Sequence, residues 1–167
     1  RDYDLVNIKK KLKIPLNLEM SPTKEMLRIA IKNKPNFVCI VPEKRMEVTT
    51  EGGLNVFKNK KKMQNIINSL KRKKIRVSLF IEPKIKDIKI SKELGAECVE
   101  LHTGNFCNLF NKRKKVKKSL LKLKKAAFFA KKIGLEVHAG HGLTYKSARM
   151  LSKINVIKEF NIGHYLV

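Results

Sequence analysis

The sequence predicts an α/β fold of about six βα units, an incomplete (β/α)8 TIM barrel. Three observations carry this. Short, nearly continuous apolar runs recur along the chain, as expected of parallel strands covered on both sides. Between them lie stretches with apolar residues at i, i+3, i+4 and i+7, the mark of helices with one buried face. Gly95 and Gly134 occupy near-identical junctions, Glu93-Leu94-Gly95-Ala96-Glu97 and Lys132-Ile133-Gly134-Leu135-Glu136. Each stands where a left-handed residue closes a helix before a strand.

The elements follow in order. Asp4–Lys11 is helical, with no strand before it. The strand Ile14–Met20 leads to Ser21, an N-cap, and Pro22, a first helical residue, ahead of Met26, Leu27 and Ala30. The strand Phe37–Val41 opens into a long polar loop, Val41-Pro42-Glu43-Lys44-Arg45 through Thr49-Thr50-Glu51-Gly52-Gly53, suited to binding or closing over a substrate. Met63, Ile66, Ile67 and Leu70 predict the next helix, then Ile75–Ile81 and Cys98–His102 predict strands. Lys-rich Asn111–Lys118 reads as the exposed start of a long helix carrying Val116, Leu120, Leu123, Ala127 and Ala130. Leu135–Ala139 and Phe160–Gly163 complete the strands.

No linker divides the chain, so residues 1–167 are expected to be one domain, a partial barrel. Six units also fit a doubly wound open sheet. A complete barrel takes about 250 residues. The chain begins at Arg1, and its last strand has no helix after it, as a barrel lacking its first two strands and last helix would.

Composition bounds the function. Hydrophobic residues make up 43% of 167, against only 8 Gly and 5 Pro, which excludes a disordered chain. No apolar run is long enough to span a bilayer, and no secretory leader is visible. Cys39, Cys98 and Cys107 form no Cys-x-x-Cys pair and have no histidine at ligand spacing. They read as reduced thiols of a cytoplasmic protein, with Cys39 and Cys98 in the core, and no metal site is expected.

Thirty-nine basic against 14 acidic residues leave a net charge of +25. That invites a nucleic-acid reading. Against it, the excess is mostly Lys, is spread over every helix, and comes without Trp or clustered aromatics. Solvated helix faces explain it, and nucleic acid is not the expected partner. The field would still attract phosphorylated substrates.

The chemistry gathers at strand ends. Acids are scarce, so one inside an apolar strand is informative. Glu19 ends Ile14–Met20 and shares a face with Asn17; in a barrel that face points inward, where desolvation would raise the carboxyl toward a useful general base. A buried ion pair is the alternative. Glu100 and His102 repeat the arrangement in the next acid-bearing strand, His102 with the weaker claim. His141 stands between glycines just past Leu135–Ala139, where an imidazole can exchange a proton near neutral pH. His138, on the other side of that strand, is the lesser candidate. Gly142, Gly163 and His164 offer backbone N–H groups after the last two strands, the usual phosphate site of a barrel.

Seven segments together resemble the pyridoxine 5′-phosphate synthase family. They are Asn17-Leu18-Glu19-Met20, Val41-Pro42-Glu43-Lys44-Arg45, Glu47-Val48-Thr49-Thr50-Glu51-Gly52-Gly53, Val77-Ser78-Leu79-Phe80-Ile81, Glu100-Leu101-His102-Thr103-Gly104, Ala139-Gly140-His141-Gly142-Leu143-Thr144-Tyr145 and Asn161-Ile162-Gly163-His164. The resemblance runs over the whole chain, in order. It implies a (β/α)8 barrel that condenses 1-deoxy-D-xylulose 5-phosphate with 3-amino-2-oxopropyl phosphate to pyridoxine 5′-phosphate, phosphate and water, in vitamin B6 biosynthesis. It implies a homo-octamer with no metal or organic cofactor. It assigns Glu19 as proton acceptor, Glu100 as the carboxylate stabilising the transition state and His141 as proton donor. Thr49 would contact the deoxyxylulose phosphate, and Gly142, Gly163 and His164 the amino-ketone phosphate. The family's Asn-x-Asp-His and His-x-Arg strand motifs have no counterpart in these residues, so the chain by itself is expected to be inactive. The rivals are a basic RNA-binding protein built on a degenerate barrel and a decayed, functionless copy.

Overall fold

The computed structural model describes residues 2–42, 52–163 and 165–166. Thr49, most of the polar loop and His164 lie outside the described residues. Six parallel strands form one sheet in sequential order: β1 (Asn17–Met20), β2 (Phe37–Ile40), β3 (Arg76–Ile81), β4 (Cys98–His102), β5 (Glu136–Gly140) and β6 (Ile157–Asn161). The helices are α1 (Asp2–Lys11), α2 (Lys24–Asn33), α3 (Lys60–Arg72), α4 (Ile85–Glu93), α5 (Gly104–Asn111), α6 (Lys117–Lys132) and α7 (Tyr145–Leu151). The sheet curls until Asn17 of the first strand donates to Glu159 Oε1 of the last at 3.4 Å. Sequential parallel order with that curl is an incomplete (β/α)8 barrel rather than a doubly wound sheet.

The two faces of the sheet differ in kind. Val38, Ile40, Val77, Leu79, Ile81, Val99, Leu101, Val137 and Ala139 form the outer face, all buried. They pack against Ile66, Ile67 and Leu70 of α3, Ile88 of α4, and Leu123, Ala127 and Ala130 of α6. Burying these side chains contributes about 1.5–3 kcal/mol for each large one. The alternate residues, Asn17, Glu19, Cys39, Arg76, Ser78, Glu100, His102, Glu136 and His138, are brought together by the strand register on the inner face. Phe37, Phe80 and Cys98 share that face, so the interior is largely but not wholly polar.

Three details depart from the sequence-based expectation. The helix after β1 is capped by Thr23, whose hydroxyl accepts from Met26 N at 3.1 Å, not by Ser21 with Pro22 in the first turn. A separate helix, α5, follows β4 directly, so Lys112–Lys115 is an exposed connection before α6. The last strand starts at Ile157 rather than Phe160. A register shift pairs Val137 with Ile157 and His138 with Glu159. The extra residue turns Glu159 and Asn161 inward. Gly95 and Gly134 take φ of +90° and +77° as expected. Among the described residues, no helix is long and apolar enough to cross a membrane, and all three cysteines are buried and unbridged.

Candidate active site

Glu100 lies at the centre of the polar interior. It is 3% exposed, and its Oε2 accepts from Asn161 Nδ2 at 2.7 Å and from the Cys39 thiol at 3.4 Å. Burial pushes its carboxyl up to about 7, against the opposing pull of the Asn161 and Cys39 hydrogen bonds. A carboxyl so placed can hold or release a proton near neutrality. Its position depends on the next strand having no side chain: a Cβ at Gly140 would lie 1.8 Å from Glu100 Oε1. Cys39, expected in the core, is buried as expected but faces inward. Its thiol is pushed well up by burial and by the Glu100 carboxylate, so it keeps its proton and donates a hydrogen bond to Glu100.

His141 follows Gly140 and adopts φ +79°, a left-handed conformation costly for a residue with a Cβ. Thr103, fully buried, secures that turn. Its hydroxyl lies 2.7 Å from both Gly140 O and His141 O, and its N–H donates to Gly140 O at 2.9 Å. Gly142 continues the turn at φ +74°. The exposed ring of His141 rests 4.8 Å, centroid to centroid, from that of His102.

His102 is buried, as the inner face requires, and its Nδ1 lies 2.7 Å from Glu82 Oε1. Burial pushes the Glu82 carboxyl up, but the hydrogen bond from His102, with the Gly53 N–H, outweighs it and holds it below its ordinary value.

The remaining candidates are less enclosed. Glu19 is on the inner face but exposed, on the sheet's first strand, so the desolvation expected of it is absent. It is near enough for its charge to raise both Glu100 and Cys39. Gly163 is exposed, with nothing among the described residues beyond its chain neighbours within 4 Å of where a Cβ would stand.

His138 does not face away from the site. It is on the inner face beside Glu100 in register, one layer below the strand ends. There His138 Nε2 lies 2.8 Å from Glu136 Oε1, and Arg76 bonds Glu136 at 2.7 Å and Glu159 at 3.5 Å while stacking 3.9 Å over the Phe37 ring. Cys98, Glu136 and His138 converge within 4.8 Å, a grouping that sequence spacing did not foretell. The Arg76 guanidinium already occupies the cation's role beside Glu136. Outside the interior, a groove of about 590 Å³ between the α5–α6 connection and α7 is bordered by Arg113, Lys114, Lys146 and Tyr165. None of the carboxylates and histidines above lines it.

Sequence reasoning passed over Glu82, Asn161 and Thr103. Glu82 had a signal, since it is one of few acids and stands one residue past an apolar strand. Asn161 had none, because its inward direction comes from the β6 register shift.

The chain is 59% identical over 167 residues to the pyridoxine 5′-phosphate synthase of Pelagibacter ubique, covering all of this chain and 70% of that one. It is 48% identical over 170 residues to the protein of that name from a Sulfurihydrogenibium species, covering 69% of its length. In fold alone it resembles the EAL domain of Mycobacterium smegmatis DcpA, with a TM-score of 0.59 at 14% identity over 87% of this chain and 65% of that one. The family model described as "Pyridoxal phosphate biosynthesis protein PdxJ" matches residues 1–167, and the chain belongs to that family.

Proposed function

We propose that the chain forms most of the catalytic barrel of a pyridoxine 5′-phosphate synthase, which joins 1-deoxy-D-xylulose 5-phosphate to 3-amino-2-oxopropyl phosphate. Family membership supports the reaction. The observation that carries the site is Glu100, a buried carboxyl raised to about 7 and held against the backbone of Gly140, the residue before His141. The amine of one substrate attacks the ketone of the other. Water leaves as the imine forms, a carbon-bound proton is then removed, phosphate leaves, and closure of the ring onto the second ketone expels another water. Every step moves a proton, which calls for several acid and base groups around one cavity.

In this reading Glu19 accepts the proton from carbon; its exposure leaves it reachable by substrate. Glu100 stabilises positive charge developing at the imine, and His141 donates a proton to a departing oxygen. Gly142 and Gly163, exposed and without side chains, let the amino-ketone phosphate approach their N–H groups; His164 contacts the same phosphate and Thr49 the other substrate. Two phosphates held at fixed points keep the reactants in register. The protein is cytoplasmic in this reading, and a homo-oligomer. Leu121 and Phe128, two turns apart on α6 and both exposed, are an apolar surface such an assembly would cover.

Release of phosphate that requires both substrates is the test. In a protein that carries these 167 residues together with the N-terminal barrel strands, Glu100→Gln and His141→Ala are each expected to lower it by about 10²-fold or more. Unchanged turnover in both variants would overturn the assignment. Turnover is further expected to need the two strand motifs not found in these 167 residues. Joining the corresponding N-terminal strands of the Pelagibacter ubique relative to the chain should therefore raise it, and full activity of the 167 residues alone would refute that expectation.

A further inference from the structure

We propose that Glu82 and His102 are positioning residues for His141, an acid–imidazole pair that fixes the ring on which the candidate proton donor rests. The inference deepens the functional reading above and rests on His141 being the acid. Neither Glu82 nor His102 need touch substrate.

The hydrogen bonding of His102 is one-sided. Nδ1 meets Glu82 Oε1 at 2.7 Å, while Nε2 is buried with no hydrogen-bond partner among the described residues. A proton on Nε2 would be a buried, unsatisfied donor, costing about 1–3 kcal/mol. Glu82 therefore selects the tautomer with the proton on Nδ1 and leaves Nε2 bare, and that single bond sets the rotation of the ring. Glu82 is itself tied down, because its Oε1 also accepts from Gly53 N at 3.3 Å.

The imidazole so fixed packs edge-on against Phe80, 5.1 Å between centroids, and lies 4.8 Å from His141 at an interplanar angle of 59°. Phe80 is also 6.1 Å from His141, so the three rings form one cluster. Gly104 closes its third side: a Cβ there would stand 2.7 Å from His102 Nε2 and 3.1 Å from His141 Cδ2. Thr103, between them in sequence, holds the carbonyl of His141. Three consecutive residues thus control the acid: His102 its ring, Thr103 its backbone and Gly104 the space between the rings.

Imidazole NMR on the 167-residue protein tests this without turnover, since the chain has only 4 histidines. With ¹⁵N-labelled histidine, His102 is expected to show the proton on Nδ1 and an unprotonated Nε2, with a cross-relaxation contact to the His141 ring. Glu82→Ala should scramble the tautomer and displace the His141 ring cross-peak. Glu82→Gln, which retains an oxygen acceptor for Nδ1–H, should restore both.

A wild-type His102 protonated on Nε2 alone would overturn the proposal, whether or not Glu82→Ala folds. So would a His141 cross-peak unmoved in folded Glu82→Ala. Absence of phosphate release by a protein carrying all barrel strands would refute the activity reading alone, while the tautomer and the His141 signal decide the dyad independently.

Discussion

Replacing Gly140 with alanine probes the packing that places Glu100. The added Cβ would stand 1.8 Å from Glu100 Oε1, 2.8 Å from its Cδ and 3.2 Å from Asn161 Cβ. The φ of Gly140 is not positive, so the backbone accepts alanine and the collision is the whole effect. The carboxylate must retreat by more than about 1 Å to reach ordinary contact distance. That movement breaks the 2.7 Å bond from Asn161 and the 3.4 Å bond from Cys39. Overpacking costs about 1–3 kcal/mol, and a lost bond to a buried carboxyl about 1–2 kcal/mol. A destabilisation of about 2–5 kcal/mol follows, read as a lower urea midpoint at unchanged m. Gly163→Ala, where nothing among the described residues beyond its chain neighbours lies within 4 Å, is the control and should stay within about 0.5 kcal/mol. In a Glu100→Ala background the Gly140→Ala penalty should shrink by about 1–2 kcal/mol, the coupling expected of two groups in contact. A penalty equal to that of Gly163→Ala, or none of this coupling, would refute the reasoning.

Further predictions follow from the same interior. The Glu100 carboxyl is raised from 4.5 to about 7, so the folded state binds its proton more tightly than the unfolded state. Its contribution to stability is complete below about pH 4.5 and is lost as pH rises through about 7, a loss of about 3 kcal/mol. Glu100→Gln should abolish that slope, so its stability relative to wild type should rise by about that amount between pH 4.5 and 8 in urea titrations. Thr103→Val, which removes the hydroxyl shared by Gly140 O and His141 O, should cost about 1–2 kcal/mol; an unchanged urea midpoint would refute the clamp at His141. Gly53→Ala would bring a Cβ within 2.5 Å of Glu82 N and Ile81 C, backbone atoms that cannot rotate aside. It should destabilise by about 1–3 kcal/mol and weaken the Glu82–His102 pair, visible as loss of the single His102 tautomer.

What was legible in the sequence was local or periodic. Hydrophobic periodicity located α3 and the core of α6, because Met63, Ile66, Ile67 and Leu70 each face the sheet. Glycine closures marked Gly95 and Gly134, whose φ values only glycine adopts freely. An acid in an apolar strand identified Glu100, since such a strand gives a carboxylate only the barrel interior to face. The same rule misjudged the surroundings of Glu19: its side chain is on the inner face, but whether that face is enclosed depends on distant strands.

The sequence by itself determined the alternation of strands and helices, the inward phase of β1 and β4, and the family to which the motifs belong. These follow from neighbours two to four residues apart. Tertiary structure alone decided which groups meet. Glu82 reaches His102 across 20 residues, and Asn161 and Cys39 each reach Glu100 across 61. The inward turn of Glu159 and Asn161 required the β6 register shift. Such contacts are set by strand register and sheet curvature, which depend on how all the strands pack at once, and no short stretch of sequence contains them.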